Sequence, residues 1–323
     1  MGPRICSGFG PIGKMLDRFL PGGYADGVPL EQQLELASQV PDLTGVCLDY
    51  PMQFTDPVDI KRKLDNVGLT LSIIWVDTVG DRKWKFGSFA GPTAAIRREA
   101  IELAKRGVEA AREIGCKDVL IWLGQDGYDY PFQVNYGAQW GYLVDGLREV
   151  AAHGPDLRFG IEYKIKEPRV RCHIGTCGAT VMLAQAIGLP NVGVTIDQGH
   201  SLMALESPAE AVALATRFSH LYQVHIDDSW GDWDSDLMAG SVNLWSALEF
   251  FYAVEQANYD GWYLMDLYPY RENGFEALAA CIRNTQRLVT LAKRLRETDL
   301  PALQAAHDAV AINELLWKEI IRL

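Results

Sequence analysis

The sequence has little of what marks a membrane, secreted or nucleic-acid-binding protein. Its apolar stretches, such as residues 71–76, are too short to cross a bilayer. Its 30 basic residues against 42 acidic ones give a net charge of −12, which repels nucleic acid and anionic membranes. No basic segment followed by an apolar one begins the chain, so we expect no signal peptide. We therefore expect a cytoplasmic protein with neither a nucleic-acid nor a membrane partner.

Cysteine is scarce and scattered. The six cysteines lie at positions 6, 47, 116, 172, 177 and 281, without a paired framework, which predicts reduced thiols. Cys172, His173 and Cys177 lie close together, but no second Cys/His pair follows at zinc-site spacing. A G-x-G-x-x-G motif after an apolar segment is also missing, which argues against a dinucleotide-binding sheet.

The chain instead alternates short apolar segments with amphipathic helical ones. We predict strands at residues 4–9, 43–49, 69–76, 118–123, 157–163, 192–197, 221–226 and 262–267. We predict helices at residues 30–40, 57–67, 92–115, 136–152, 178–187, 208–218, 242–257 and 274–295. Apolar strands that are each followed by a helix indicate a parallel sheet covered by helices, and eight such pairs indicate closure. The fold class predicted is α/β, a (β/α)₈ TIM barrel, with a doubly wound sheet as the alternative.

We expect the 323 residues to divide into a (β/α)₈ barrel domain at 1–296 and a C-terminal helical extension at 297–323. Residues 309–321 form an apolar, helical segment in that extension. Such a surface needs a partner, which is either the barrel itself or another subunit. Both remain open, and we expect a homo-oligomer, either a dimer or a tetramer.

An acidic segment with unusual composition, VHIDDSWGDWDSDLMAG, occupies residues 224–240. It has five aspartates within twelve residues and no Lys or Arg. Crowded carboxylates repel each other, and an unpaired one is expensive to bury. A divalent cation relieves that cost, and imidazole beside carboxylate suits Mn²⁺, Co²⁺, Mg²⁺ or Zn²⁺. An acidic surface loop is the alternative.

Ionisable side chains also fall at the ends of four consecutive predicted strands. In a barrel of this kind, the chemistry lies at the C-terminal ends of the strands. These ends carry, in order, Glu162, Asp197, His225 and Asp266. Any one of them alone is more often a hydrogen-bonded structural group. Their regular placement predicts a site.

These side chains sort into two candidate metal sites. One ion is surrounded by Glu162, Asp197, His225 and Asp266. A second ion is held by His200, Asp234 and Asp236, with Asp197 able to bridge. Two neighbouring ions would polarise adjacent oxygens of one substrate. Period-two alternation places Lys164 on the same side as Glu162, where it can stabilise an oxyanion or form a salt bridge with Glu167 or an aspartate.

At this point the motifs resemble a known family. IEYKIKEPR (161–169), TIDQGH (195–200), VHIDD (224–228), DSDL (234–237) and the strand-eight Asp266 resemble the xylose isomerase family. The segment 224–245 is closer to the L-rhamnose isomerases and their relatives in the xylose isomerase-like barrel superfamily. The resemblance covers roughly residues 46–290.

The resemblance implies two divalent ions, foremost Mn²⁺ with Mg²⁺ or Co²⁺ as options, and aldose–ketose isomerisation of an unphosphorylated monosaccharide. Glu162, Asp197, His225 and Asp266 are similar to the ligands of the substrate-binding ion. The ligands of the catalytic ion correspond to His200, Asp234 and Asp236.

Other residues take substrate-facing roles by the same resemblance. Lys164 corresponds to the lysine on the sugar O1, and Trp122 to the tryptophan that walls the pocket. Trp75, Trp84 and Phe89 are further wall candidates or, equally, loop core. The catalytic residues expected are Lys164, His200 and Asp236, which orients the base that takes the O2 proton. The substrate contacts expected are Trp122, Lys164 and Asp49.

The sequence also departs from the family pattern. Asp49 occupies the end of strand two, where the xylose enzymes have a histidine that assists ring opening. His225 stands where they use an aspartate, so Asp227 is expected to support the ligands rather than bind the ion. These differences leave the sugar and the ring-opening residue unassigned.

The leading hypothesis is therefore an intramolecular oxidoreductase that interconverts aldoses and ketoses by a metal-assisted 1,2-hydride shift. The alternative on the same scaffold is a ketose 3-epimerase, or a lyase on an oxidised sugar, that acts by proton transfer. An endonuclease role conflicts with the net charge of −12. The non-enzyme reading is a metal-dependent sugar-binding protein that has lost turnover.

Overall fold

A closed barrel of eight parallel strands forms the centre of the molecule. The computed structural model describes residues 2–16, 20–167 and 169–321. Neighbouring strands follow chain order around the barrel, and the first pairs with the last. The strands are β1 (Arg4–Ser7), β2 (Gly45–Tyr50), β3 (Thr70–Val76), β4 (Asp118–Trp122), β5 (Arg158–Glu162), β6 (Val192–Asp197), β7 (Leu221–Ile226) and β8 (Trp262–Met265). The predicted TIM barrel is confirmed.

Helices surround the strands. They are α1 (Leu30–Ser38), α2 (Pro57–Val67), α3 (Ala94–Ile114), α4 (Tyr136–His153), α5 (Cys177–Ile187), α6 (Gln198–Met203), α7 (Pro208–Phe218), α8 (Leu244–Gln256), α9 (Gly274–Arg296), α10 (Leu300–Ala305) and α11 (Ala309–Leu316). The sequence analysis missed the short helices α6 and α10. It also missed a small antiparallel sheet of Gly127–Tyr128, Lys166–Glu167 and Val170–Cys172 beside the C-terminal end of the barrel.

Local signals explain where the helices begin and end. Asp56 caps α2 by accepting the Val58 and Asp59 N–H groups, and Pro57 occupies the first helical position. Gly68 ends the same helix in the left-handed region, at φ +72°. These signals placed α2 at the predicted residues, whereas most other boundaries shift by one or two positions.

Period-two alternation fills the barrel in layers. On β1 to β4 and on β8 the lower layer is apolar and consists of Cys6, Cys47, Ile73, Leu120 and Leu264. On β5 to β7 it consists of Gly160, Thr195 and Gln223, and the last two are hydrogen-bonded to each other. Two residues further along each strand, most inward positions carry an ionisable or aromatic side chain. They become, from β1 to β8, Gly8, Asp49, Trp75, Trp122, Glu162, Asp197, His225 and Asp266. One layer of the barrel therefore carries the predicted site.

The C-terminal helices pack on the barrel's own helices. Ile312, Leu315 and Leu316 of α11 contact the hydrophobic core, and Trp317 lies against Trp245 of α8. This is the intramolecular one of the two predicted arrangements, and contact with another subunit stays a prediction. The division into domains at residues 296 and 297 also stays a prediction. Within the described ranges, no helix has the length and apolar character needed to cross a lipid bilayer.

Candidate metal centre

Four strand ends converge on the first cluster of possible ligands. Glu162, Asp197, His225 and Asp266 each offer one atom, and these atoms lie within 4.8 Å of one another. His225 Nδ1 is 3.3 Å from Glu162 Oε1 and 3.5 Å from Asp266 Oδ2. His225 is also in register with Asp197 on the neighbouring strand. This is the set predicted for the first ion, and the structure brings all four residues together.

A second cluster shares Asp197 with the first. Asp197, His200 and Asp234 form a group with the same 4.8 Å spread. Asp197 ends β6 and caps α6 by accepting the His200 N–H at 2.7 Å, so the imidazole begins directly beside the strand end. His200 Nε2 is 3.3 Å from Asp234 Oδ2, and His200 Nδ1 is 3.1 Å from Glu162 Oε1.

A third group joins Asp227 to Asp234 and Asp236. Asp227 is fully buried, and one of its oxygens accepts the Gly199 N–H at 2.8 Å. A Cβ at position 199 would overlap the other Asp227 oxygen, so the glycine of TIDQGH gives the carboxylate its room. The sequence analysis placed Asp227 behind the ligands, whereas the structure places it among the second-ion candidates. Its expected role in supporting the ligands stays a prediction.

The donor atoms fit a divalent cation. Several buried polar atoms of these clusters have no hydrogen-bond partner in the described part of the chain, namely Asp197 Oδ2, Asp227 Oδ2, Asp234 Oδ1 and His225 Nε2. The Nδ1 atoms of His200 and His225 lie close to Glu162 Oε1 but without hydrogen-bond geometry. Orphaned buried polar atoms are rare because each costs about 1–3 kcal/mol. Carboxylate and imidazole atoms aimed at shared points are the ligands that Mn²⁺, Co²⁺, Mg²⁺ and Zn²⁺ accept.

In the absence of a cation, burial and mutual repulsion raise the pKa of three carboxyl groups in these clusters. Burial raises the pKa of Asp197 to about 7, and Glu162 and Asp234 add to the increase. Burial likewise raises the pKa of Asp227 and of Asp236 well above the usual range. Repulsion from Asp197 and Asp234 adds to both increases, and Asp236 adds to that of Asp227. Protons therefore occupy part of the cluster near neutral pH.

Attraction between the two histidines and the carboxylates raises the pKa of each imidazole and lowers that of Glu162. Burial opposes protonation of His225, but Glu162 and Asp266 raise its pKa to about 10. Asp197 and Asp234 similarly raise the pKa of His200 against the effect of burial. Burial would raise the pKa of Glu162, but His225 and His200 lower it to about 2. An ion that binds here must displace the imidazole protons, so its affinity depends on pH.

Lys164 lies between the clusters and the cavity wall. Its ammonium group contacts Glu167 and lies 2.5 Å from Asp234 Oδ2. The same nitrogen is 5.1 Å from the centre of the Trp122 ring. Burial opposes the charge, but Asp234 and Glu167 raise the pKa of Lys164 well above its usual value. The lysine is therefore cationic, and the salt bridge weighed as its alternative role is present.

Asp228 holds the acidic loop in place. Its side chain accepts N–H groups from Ser229, Val242 and Asn243 at 2.8–2.9 Å, and the Asn243 amide at 2.8 Å. The Leu237 N–H donates to the Asp228 carbonyl at 2.9 Å. These bonds close the loop so that Asp234 and Asp236 face the barrel axis.

One open cavity of about 600 Å³ lies over the clusters. Asp49, Trp75, Trp122 and Lys164 line it, together with metal-ligand candidates such as Asp266. The substrate contacts predicted from the sequence therefore all face this cavity. Trp84 and Phe89 are 1 % exposed and belong to the hydrophobic core, which corrects their interpretation as pocket wall.

The cavity wall also contains residues that the sequence analysis did not single out. These are, among others, Phe9, Gln33, Gln53, Lys166, Trp233 and Tyr268. Trp233 lies in the acidic segment at residues 224–240. Gln33 and Gln53 carried no sequence signal, because a polar residue in a loop or on a helix is ordinary.

The fold agrees with the comparison to known families. The chain belongs to the family described as the xylose isomerase-like TIM barrel, whose model matches residues 34–285. The resemblance predicted from the motifs is thereby confirmed.

Two relatives and one solved structure show how far the similarity extends. The chain is 25 % identical to a xylose isomerase of Thermus thermophilus over 243 residues, covering 73 % of this chain and 63 % of that one. It is 26 % identical to a probable sugar isomerase of Mesorhizobium japonicum over 285 residues, covering 84 % and 65 %. The chain thus spans slightly less than two thirds of either relative. An L-ribulose 3-epimerase structure matches with a TM-score of 0.69 at 13 % identity, covering 91 % and 97 %.

Proposed function

We propose that this chain is a metal-dependent aldose–ketose isomerase that acts on an unphosphorylated monosaccharide by a 1,2-hydride shift. The observation that carries the proposal is the second donor cluster, Asp197, His200 and Asp234, which shares one carboxylate with the first. A site that holds a single ion does not need this second cluster. Two relatives named as isomerases support the same class.

The proposed ligands are Glu162, Asp197, His225 and Asp266 for one ion and His200, Asp234 and Asp236 for the other, with Asp197 as the bridge. Asp236 falls in the group with Asp227 and Asp234, which shares Asp234 with the group of His200. Two bound divalent ions, Mn²⁺ foremost, would supply Lewis-acid stabilisation of negative charge on substrate oxygens. The clusters lie at the C-terminal ends of the strands, where barrel enzymes carry out their chemistry.

The remaining residues act on the substrate directly. Lys164 donates hydrogen bonds to the substrate oxygen that gains negative charge, since its ammonium lies at the cavity wall and stays protonated. The rings of Trp75 and Trp122, 5.7 Å apart, line the cavity beside it. These indoles exclude water from the reacting carbons, which favours transfer of hydrogen as hydride over loss of a proton.

A ketose 3-epimerase is the second candidate. The first cluster is a complete four-residue site by itself, with Glu162 and Asp266 as carboxylates on separate strands. Such a pair could remove and return a proton on opposite faces of a sugar carbon. Under that mechanism, His200 and Asp234 would be dispensable for turnover.

Conversion of sugars tests the proposal. Protein freed of metal with a chelator would be incubated with a panel of aldoses and ketoses, with and without Mn²⁺, and followed by proton NMR. We expect Mn²⁺-dependent appearance of the aldose or ketose partner of one panel member. Interconversion of two ketoses with no aldose formed would replace the proposal with the epimerase. Stoichiometric Mn²⁺ binding with no conversion would indicate a binding protein.

A further inference from the structure

The cavity wall on the β2 side differs from the metal side. Asp49 is the inward residue near the end of β2 and lies in register with Trp75 of β3. Two glutamines, Gln33 of α1 and Gln53 after β2, line the cavity on this side. The β2 side therefore presents uncharged amides beside one carboxylate, whereas the other side presents clustered ion ligands.

The Gln53 side chain has a defined orientation. A backbone N–H can only donate, so the atom 2.7 Å from the Asp49 nitrogen is the amide oxygen of Gln53. In return, the Gln53 backbone N–H donates to the Asp49 carbonyl at 2.9 Å. These two bonds fold Gln53 back over the end of the strand. They leave its NH₂ group, with two donors, as the polar part available to the cavity.

Asp49 supplies the matching acceptor. Within the described ranges, its carboxylate accepts no hydrogen bond and the Gln53 NH₂ group donates none. Both side chains are only partly buried and both line the cavity. A donor and an acceptor held side by side on one short turn match two neighbouring hydroxyls of a polyol, one donating to Asp49 and one accepting from Gln53.

We propose that Asp49 and Gln53 form a hydroxyl-binding pair that holds the end of the sugar remote from the metal centre and selects among sugars by the configuration there. This inference rests on the proposed function. A site built to bond hydroxyls rejects a molecule that leaves its polar groups unpaired, because those groups lose water without replacement. Gln53 is thus a specificity residue that acts together with Asp49 in binding the substrate hydroxyls.

Linear alditols test the pair without turnover. Xylitol, ribitol and L-arabinitol resemble open-chain sugars but have no carbonyl group, so they can bind and cannot isomerise. Their binding to the Mn²⁺-loaded protein would be measured by calorimetry for the wild type, Gln53→Glu and Gln53→Met. Gln53→Glu keeps an acceptor for the Asp49 N–H and loses the donors, whereas Gln53→Met loses both. Gln185→Met is the control, since Gln185 bonds the Phe218 carbonyl outside the cavity.

We expect both Gln53 variants to weaken the best-bound alditol by about three- to tenfold and to reduce the differences among the three. Gln53→Met should also lower the melting temperature, because it leaves the Asp49 N–H without its acceptor. For the sugar that the enzyme converts, KM should rise with kcat largely kept.

A purely structural Gln53 would give a different pattern. In that case Gln53→Glu would match the wild type in alditol affinity and KM, and this would refute the inference while the isomerase proposal stands. If no alditol binds the wild type, KM of the converted sugar decides alone. A wild type that neither binds an alditol nor converts a sugar would contradict the inference together with the proposed function.

Discussion

The metal-free protein should become less stable to unfolding as the pH rises from 5 to 7. The pKa of Asp197 is 3.8 in its ordinary state and about 7 in the fold, so between these values the folded chain holds a proton that the unfolded chain has released. Stability falls with pH wherever the folded state binds more protons. His225 acts in the same direction at higher pH, because its contribution is present below 6.5 and is lost as the pH passes about 10.

The size of the effect follows from the proton count. One proton bound only in the folded state changes the free energy of unfolding by about 1.4 kcal/mol per pH unit. From pH 5 to 7 the Asp197 proton alone therefore gives about 2 kcal/mol, because that carboxyl group is half ionised at pH 7. Asp49, Asp227 and Asp236, whose pKa values burial also raises, act in the same direction. For a domain this large, the combined loss corresponds to a melting temperature lower by on the order of 5 °C at pH 7 than at pH 5.

Scanning calorimetry of chelator-treated protein at pH 5, 6, 7 and 8, with and without Mn²⁺, measures the effect. Bound Mn²⁺ replaces the protons and stabilises the fold by about 2.7 kcal/mol when its concentration is 100 times Kd. Since metal and protons compete, the stabilisation should grow with pH. A metal-free protein whose melting temperature rises from pH 5 to 7, or profiles that Mn²⁺ leaves unchanged, would refute the reasoning.

Three further predictions concern single residues. Asp234→Asn and His200→Ala should keep the fold, bind one Mn²⁺ fewer in a metal-stoichiometry assay and lose turnover; retained activity in His200→Ala would contradict the two-ion assignment. Lys164→Met should lower kcat by about 10²–10³ with Mn²⁺ stoichiometry unchanged, and a normal kcat would reduce Lys164 to a salt-bridge residue. Asp228→Asn should cost about 1–3 kcal/mol in denaturant unfolding and weaken Mn²⁺ binding, whereas Asp118→Asn, at the far end of the barrel, should leave Mn²⁺ affinity at the wild-type value.

The barrel was predictable because its signals are local and repeated. Apolar strands such as residues 192–197 and 221–226 match β6 and β7 at both ends. The helices missed are short, and α6 follows β6 without an intervening loop, so the sequence shows no break between them. The small sheet beside the barrel depends on pairing between residues 127–128 and 170–172, which are distant in sequence and leave no periodic pattern.

The site was predictable in part. Period-two alternation places Glu162, Asp197, His225 and Asp266 in one layer, so their convergence follows from strand register. Gln53 could not be found this way, because its position depends on a side chain folding back onto Asp49. The place of Asp227 beside Asp234 and Asp236 likewise depends on loop closure by Asp228.

The central claim is a hydride shift between adjacent sugar carbons, and isotope exchange tests it most directly. The Mn²⁺-loaded protein would convert its sugar in D₂O while proton and deuterium NMR follow C1 and C2 of the product. We predict conversion with no solvent deuterium at either carbon, because the hydrogen moves directly from one carbon to the other beside the Trp75 and Trp122 rings that line the cavity. Deuterium incorporated at the rate of conversion would mean that a proton leaves to solvent, and would contradict the account in favour of proton transfer of the epimerase type.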